Sequence, residues 1–241
     1  MKPSVPVHRL KRRAKLISRA HGIPLHAALD RVAREEGFAS WSMLAFRLRE
    51  NPRGGIAAET VFAGLAPGDL LLIGARPGQG KTLMGLKLAV EAMRAGRRSV
   101  FFSLEYTPRD MAGRLRAIGV EPAQLDARFS FDDSEAICAG HVMETLADAP
   151  AGTFAAIDYL QLLDQRRDKP ALDVQIRALR AFARARGIVL AFISQIDRSY
   201  DPAAKPLPDL ADVRLPNALD LSLFSKACFL HAGRMSFRPV G

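Results

Sequence analysis

A nine-residue stretch, residues 74–82 with the sequence GARPGQGKT, constrains this chain more than any other feature. It follows the apolar run at 70–73 and precedes a stretch whose apolar residues recur at helical spacing. It approaches the pattern G-x-x-x-x-G-K-[ST], with Ala75 in place of the first glycine. Glycines let backbone N–H groups converge on a polyphosphate, and the positive end of the following helix attracts the same charge. The stretch therefore predicts a phosphate-binding loop between a buried strand and a helix.

The end of this loop predicts which ligand it holds. In the pattern, the lysine reaches the β- and γ-phosphates of a nucleoside triphosphate, and the hydroxyl that follows ligates Mg²⁺. Lys81 and Thr82 occupy these two positions. We therefore expect ATP and Mg²⁺ as cofactors, with Thr82 as a metal ligand. The residues expected to surround the phosphates are Ala75, Arg76, Pro77, Gly78, Gln79, Gly80, Lys81 and Thr82.

Beyond residue 53, short apolar runs alternate with amphipathic stretches. This alternation is typical of an α/β fold, a mainly parallel twisted sheet with helices on both faces. A length of 241 residues leaves room for one such domain and a small appendage. Strands are expected at 70–73, 99–103, 128–131, 153–157, 188–193 and 226–231, and helices at 81–95, 108–119, 134–147 and 171–186.

Three polar residues follow predicted strands. Ligands of open parallel sheets bind where the carboxyl ends of the strands meet, so residues there are candidates for chemistry. We expect Asp158 to hold Mg²⁺ and Glu105 to polarise the water that attacks the terminal phosphate. Gln195, neutral with both a donor and an acceptor, suits detection of that phosphate. Each alone is equally well an ordinary strand end, but the three together after a phosphate loop are more specific.

Positive charge is concentrated near the amino terminus. Residues 1–53 contain 12 Lys or Arg against 4 Asp or Glu, whereas residues 54–241 contain 23 against 21. The pattern predicts a basic helical segment over 1–53, with helices at 8–20 and about 24–36 and a third capped by Ser40, and a boundary in the turn-rich stretch 51–55. Clustered cations favour contact with nucleic acid, either single- or double-stranded DNA, over a merely solvated helix face.

Several classes of protein are excluded by simpler observations. No apolar run reaches the roughly 18–20 residues that cross a bilayer, and no apolar region follows the basic amino terminus as in a secretory signal. Two cysteines, Cys138 and Cys228, make neither a disulfide framework nor a metal-ligand spacing. We therefore expect a cytoplasmic protein without a membrane partner, in which both cysteines are small core residues.

Four separated motifs carry a resemblance to a known family. They are GARPGQGKT at 74–82, FFSLE at 101–105, IDYLQL at 157–162 and ISQIDR at 193–198, joined by FDD at 131–133 and GLAPGDL at 64–70. In order and spacing they resemble the C-terminal ATPase domain of DnaB-type replicative helicases. The resemblance covers roughly residues 56–198.

The resemblance implies a RecA-like P-loop core that hydrolyses nucleoside triphosphate and, in the best-known members, forms a hexameric ring around single-stranded DNA. By similarity, Lys81 and Thr82 bind phosphate and Mg²⁺, and Asp158 supports the metal. Glu105 is the catalytic base and Gln195 the sensor of the γ-phosphate. Such a protein is expected to be a homo-oligomer.

The chain also departs from the family. A basic segment of about fifty residues stands where the family has a larger helical domain, and residues 209–217 read DLADVRLPN where the family has a DLRESG-like loop that faces DNA. The family's arginine finger has no clear counterpart, and Arg234 and Arg238 are the candidates. Two functions follow: a DNA-associated ATPase with weak or partner-dependent motor activity, or a nucleotide-binding switch with little turnover that recruits partners. A recombinase-like or clock-like relative and another P-loop enzyme, such as a kinase, stay open.

Overall fold

A computed structural model of the protein describes residues 7–44, 57–121, 128–164, 170–215 and 217–240. These residues belong to two compact units, one within residues 1–53 and the other within 54–241. The stretch 51–55, where we place the boundary, lies outside the described residues. No described helix is long and apolar enough to cross a membrane.

The first unit consists of short helices, as the pattern predicts. Helix α1 spans Val7–His21 and helix α2 spans Leu25–Glu35. A third helical segment begins at residue 41 and is described as far as residue 44. Its first turn is capped by the Ser40 hydroxyl, which accepts a hydrogen bond of 3.2 Å from the backbone N–H of Met43.

The small core of this unit is built largely from the facing sides of α1 and α2. Trp41 packs partly buried against it. The buried apolar residues of this core are Leu10, Ala14, Ala28, Val32, Ala33, Phe38 and Leu44. Alanines let the two helices approach closely, so this unit is compact although its apolar surface is small.

The second unit is built on a seven-stranded sheet in the order β3-β2-β4-β5-β1-β6-β7. All neighbouring strands are parallel except β6 and β7. This confirms the predicted mainly parallel sheet and brings the carboxyl ends of β1 to β6 to one edge. The strands are β1 Leu70–Ala75, β2 Ser99–Ser103, β3 Phe129–Asp132, β4 Phe154–Asp158, β5 Val189–Gln195, β6 Lys226–His231 and β7 Arg234–Pro239.

Helices cover both faces of this sheet. Alternate residues of β1 show the division: Leu70 and Leu72 face a core shared with α6 and α7, whereas Leu71 and Ile73 face a core shared with α3, α4 and α5. Strands buried on both faces have the continuous apolar runs seen in the sequence. The helices are α3 Ala58–Ala63, α4 Lys81–Arg94, α5 Pro108–Ala117, α6 Ala139–Thr145 and α7 Leu172–Arg186, with 3₁₀ turns at Leu160–Asp164, Leu210–Asp212 and Leu221–Leu223.

Several details differ from the sequence prediction, and one of them is helix α3, which was not predicted. The helix expected at 134–147 begins only at Ala139, because the side chains of Asp132 and Ser134 accept backbone hydrogen bonds two residues ahead and so form turns. Strand β7 was not predicted. A two-residue turn at Ala232 and Gly233, with φ of 48° and 78°, folds it back onto β6.

The two cysteines are both free. Cys228 is fully buried on β6, as predicted for a small core residue, and burial raises the pKa of its thiol to about 12. Cys138 is half-buried just before α6, so the prediction of a core residue holds for Cys228 alone.

We expect Gly74→Ala to destabilise the second unit. A Cβ at this position of β1 would lie 2.7 Å from two ring carbons of Phe229, which is fully buried. The ring has no space to move, so the free energy of unfolding should fall by about 1–3 kcal/mol.

The matched control is Gly113→Ala on α5, where nothing lies within 4 Å of the added Cβ. It should gain about 0.5–1 kcal/mol. Urea unfolding measures both, and equal stability of the two variants would contradict the packing argument.

Candidate nucleotide site

The glycine loop joins the end of β1 to the start of α4 around open space. Gly78 and Gly80 have φ of 75° and 89°, conformations that L-residues with side chains rarely adopt. Nothing lies within 4 Å of a Cβ placed at either glycine. Helix α4, 14 residues long, begins directly after the loop at Lys81. Backbone N–H groups and a helix N-terminus therefore face a space that could receive a polyphosphate.

The register of the sheet brings the predicted strand-end residues to the same edge as this loop. Ser103 pairs with Asp158, so Glu105 follows β2 beside the end of β4. Gln195 ends β5 and pairs with Ala75, the residue that opens the phosphate loop. The elements that carry Lys81, Glu105, Asp158 and Gln195 thus converge, as expected for an open parallel sheet.

The pKa of Asp158 reflects its interactions with these groups. Its side chain is fully buried, and burial raises its pKa to about 6. The ammonium group of Lys81 and the nearby hydroxyl of Thr82 oppose this increase in pKa, whereas the carboxylate of Glu105 adds to it. Lys81, Thr82, Glu105 and Asp158 therefore lie in one electrostatically coupled group.

The two carboxylate oxygens of Asp158 accept no well-formed hydrogen bond from the residues that the structure describes. Unpartnered buried oxygens of this kind are costly, and a cation bound beside them would remove the cost. A carboxylate next to the Thr82 hydroxyl is a set of hard oxygen donors, the type that Mg²⁺ prefers. The residues present therefore fit a magnesium ion held between Thr82 and Asp158.

Two further residues belong to this group and were not predicted. The guanidinium of Arg114 lies 4.0 Å from the ring centroid of Tyr106, which is close to the Thr82 hydroxyl. Burial raises the pKa of the Tyr106 hydroxyl. Tyr106 follows Glu105 directly, so its position in the sequence next to the candidate base could have predicted that it belongs to the site. Arg114 could be found only from the packing of α5.

Two side chains of the phosphate loop contact other parts of the fold. Arg76 donates hydrogen bonds to the carbonyl oxygens of Arg198, at 2.7 Å, and of Tyr200. The side-chain oxygen of Gln79 accepts a 2.8 Å hydrogen bond from the N–H of Ala232. The loop thus offers its backbone to the open space while these side chains anchor it.

The two candidates for an arginine finger lie on β7. Arg234 and Arg238 are both exposed, and the guanidinium of Arg238 lies 6.0 Å from the ring centroid of Phe229. None of the contacts that the structure describes places either arginine at the phosphate loop of this chain.

This fold and this loop define a class: the second unit is a P-loop protein of RecA-like fold. A solved ATPase domain has the same fold, with a TM-score of 0.57 at 20% identity, over 74% of this chain and 76% of that domain. A DnaB-like replicative helicase, solved in a study of its interactions with primase, gives a TM-score of 0.56 at 17% identity, over 92% of this chain and 64% of that one. Residues 54–151 match the family model described as the DnaB-like helicase C terminal domain.

Curated relatives agree with the family. The replicative DNA helicase DnaB of Leifsonia xyli subsp. xyli is 25% identical over 200 residues, which are 70% of this chain and 44% of the helicase. A probable plasmid replicative DNA helicase of Chlamydia muridarum is 27% identical over 182 residues, 62% of this chain and 40% of that protein. The chain thus spans less than half the length of each relative.

We expect the nucleotide-free protein to lose stability as pH rises from about 4 to about 6. The pKa of Asp158 is about 6 in the folded protein against 3.8 as its ordinary value, so the folded state binds more protons between these two values. The resulting loss is about 2–3 kcal/mol at pH 7.

Asp158→Asn removes the charge and keeps the shape, so it should abolish most of this loss and raise stability at pH 7. Thermal or urea unfolding in a chelating buffer at pH 5 and pH 7 measures it. Glu144→Asn, at an exposed position on α6, is the control. A wild-type protein that is as stable at pH 7 as at pH 5, with Asp158→Asn no more stable, would contradict this prediction.

Proposed function

We propose that the protein is a Mg²⁺-dependent, DNA-associated ATPase of the DnaB/RecA-like helicase class. The observation that carries this proposal is the buried, unpartnered carboxylate of Asp158 beside Lys81 and Thr82 at the mouth of a glycine loop. A glycine turn that only reverses the chain needs neither a buried lysine nor a buried carboxylate. A site that binds a metal-bearing triphosphate needs both.

The residues of the site have distinct tasks in this proposal. The N–H groups of Gly78 and of residues 80–82 would donate to the phosphate oxygens, and Lys81, only 9% exposed, offsets their charge in a poorly solvated position. Thr82 and Asp158 would hold Mg²⁺, which when bound neutralises charge on the β- and γ-phosphates. ATP and Mg²⁺ are thus the proposed cofactors.

Glu105 is the proposed base. Its backbone N–H donates a 3.1 Å hydrogen bond to the Ser103 hydroxyl, which fixes the chain just after β2. Its carboxylate can then orient a water molecule and take its proton as the terminal phosphate is transferred. Gln195, whose carbonyl accepts a 2.8 Å hydrogen bond from the N–H of Arg214, is the proposed sensor of that phosphate.

We expect Glu105→Gln to reduce ATP turnover by about 10²- to 10⁴-fold, since the amide cannot accept the proton, while affinity for ATP changes little. Steady-state hydrolysis and equilibrium binding of a fluorescent ATP analogue separate the two effects. Glu144→Gln, exposed on α6, is the matched control and should retain wild-type turnover.

The second candidate function, a nucleotide-binding switch that recruits DNA or protein, makes the opposite prediction. It is favoured by the absence of a clear arginine finger among the described residues. Tight binding with turnover near background in the wild type, unchanged by Glu105→Gln, would establish the switch and contradict the ATPase.

The DNA contact is proposed for the first unit. The carboxylate of Glu35 pairs with Arg13 at 2.7 Å and Arg31 at 3.6 Å. The cations on the outer side of α1 have no ion pair with a described carboxylate. They are Lys11, Arg12, Lys15 and Arg19, all exposed. A row of unpaired cations along a helix about 22 Å long suits a phosphate backbone.

Replacement of Arg12, Lys15 and Arg19 by Ala should weaken DNA binding and its salt dependence together. Each lost phosphate contact lowers the slope of log K against log[salt] by about 0.9 on duplex DNA and about 0.7 on single strands. Fluorescence anisotropy over a salt series, with single- and double-stranded oligonucleotides, measures the slope and the preferred form. A variant of Arg94, Arg177 and Arg186 to Ala removes three exposed cations elsewhere as the control. Equal slopes in the two variants would rule out the α1 contact.

A homo-oligomer is also proposed, because an ATPase of this class completes its site with an arginine. Arg234 or Arg238 of a second copy would supply it. Mass measurement in solution with a non-hydrolysable ATP analogue, with and without single-stranded DNA, tests the assembly.

A further inference from the structure

The chain that leaves β5 returns to the same point. Residues 196–214, here termed the return loop, begin after Gln195 and close in a short antiparallel bridge between Ile196 and Val213. The N–H of Asp197 donates to the carbonyl of Asp212 at 2.7 Å, and the N–H of Arg214 donates to that of Gln195 at 2.8 Å. The return loop is therefore closed at its base, next to the end of the β5 strand.

Side chains brace the return loop from inside. The ammonium group of Lys205 bonds the carboxylates of Asp209, at 3.0 Å, and Asp212, at 2.6 Å. The Tyr200 hydroxyl donates to the carbonyl of Lys205 at 3.0 Å, and the Tyr200 ring is almost fully buried. A segment tied in this way moves as a unit more readily than residue by residue.

Arg76 connects this unit to the phosphate loop. Its guanidinium donates to the carbonyls of both Arg198 and Tyr200 and lies 5.3 Å from the centroid of the Tyr200 ring. The same ring contacts His231, at the end of β6, edge to face with 5.4 Å between the ring centroids. Arg76 therefore joins two segments more than 120 residues apart, and Tyr200 contacts both Arg76 and the end of β6.

The position of Arg76 in the chain places this contact next to the phosphate loop. Arg76 lies directly after β1 and two residues before Gly78, which adopts a φ of 75° and, without a Cβ, has more backbone freedom than other residues. A bound polyphosphate, gripped by successive N–H groups, removes much of that freedom. The guanidinium is then held in one place, and so are the two carbonyls that it bonds.

We propose that Arg76 is a positioning residue that couples a triphosphate in the phosphate loop to the order of the return loop. Occupancy of the phosphate loop fixes Arg76, and Arg76 fixes residues 198–200. The inference rests on the proposed function in one respect only, since it requires a triphosphate to bind the phosphate loop. A planar guanidinium that bonds two carbonyls and stacks on a ring cannot be replaced by a lysine ammonium.

Hydrogen–deuterium exchange tests the coupling. Exchange of the amides of residues 197–205 is followed in the intact protein, with and without Mg²⁺ and a saturating non-hydrolysable ATP analogue. The affinity of each variant for the analogue is measured first, so that every variant is saturated. In the wild type the analogue should slow this exchange by about tenfold, within the usual range for coupling between sites. Arg76→Lys should reduce the effect to less than about threefold, below that range.

Two variants separate coupling from a loss of structure. Tyr200→Phe keeps the ring under Arg76 and removes only the bond to Lys205, so it should keep the nucleotide effect. Arg186→Lys, in the last turn of α7, is the matched arginine control and should equal the wild type. A purely structural role for Arg76 would increase exchange equally with and without the analogue.

The outcomes are distinguishable. If the analogue does not bind the wild-type protein, the proposed function fails and the inference fails with it. If the analogue binds but exchange at 197–205 does not change, or if Arg76→Lys retains the full effect, the coupling is wrong and the proposed function stands.

Discussion

The site depends on one carboxylate that the fold keeps out of water. Asp158 ends a strand that is buried along its whole length, and its oxygens find no well-formed hydrogen bond among the described residues. Burial without a partner disfavours the charged form, as the raised pKa shows. The cores on the two faces of the sheet must stabilise the protein enough to tolerate this charge. A divalent cation bound beside these oxygens would remove a cost of burial that the fold already carries, so its binding would need little reorganisation.

Much of this arrangement could be predicted, because it depends on local and periodic features. The apolar run at 70–73, the glycine loop and the helix that follows are contiguous in the chain, and their physics is local. The strand-end residues Glu105, Asp158 and Gln195 needed one further rule, that parallel strands share an edge at their carboxyl ends. The predicted fold class was confirmed, whereas the strand order and the register of the sheet came only from the structure.

The rest depends on contacts that no local pattern specifies. The hydrogen bond from Arg76 to Tyr200 joins residues 124 positions apart, and no sequence feature near either residue predicts it. Arg114 reaches Tyr106 only because α5 packs where it does. Strand β7 was not predicted, because an edge strand that is half exposed to solvent lacks the continuous apolar run that identified its buried neighbours. Helix α6 begins later than predicted because nearby side chains accept hydrogen bonds from backbone N–H groups and form turns instead. Helix propensity alone does not predict this competition.

The phosphate loop shows why its sequence pattern leaves so many positions undefined. The ligand is expected to meet backbone N–H groups, Lys81 and Thr82, so only the glycines, the lysine and the hydroxyl are fixed by that chemistry. The side chains between them point to other neighbours, as Gln79 does toward the turn after β6. Such positions can take any residue that suits the segment packed against them. At the positions that the pattern leaves undefined, each member of the class can therefore contact different neighbouring segments. In this chain, Arg76 occupies one such position and makes that contact.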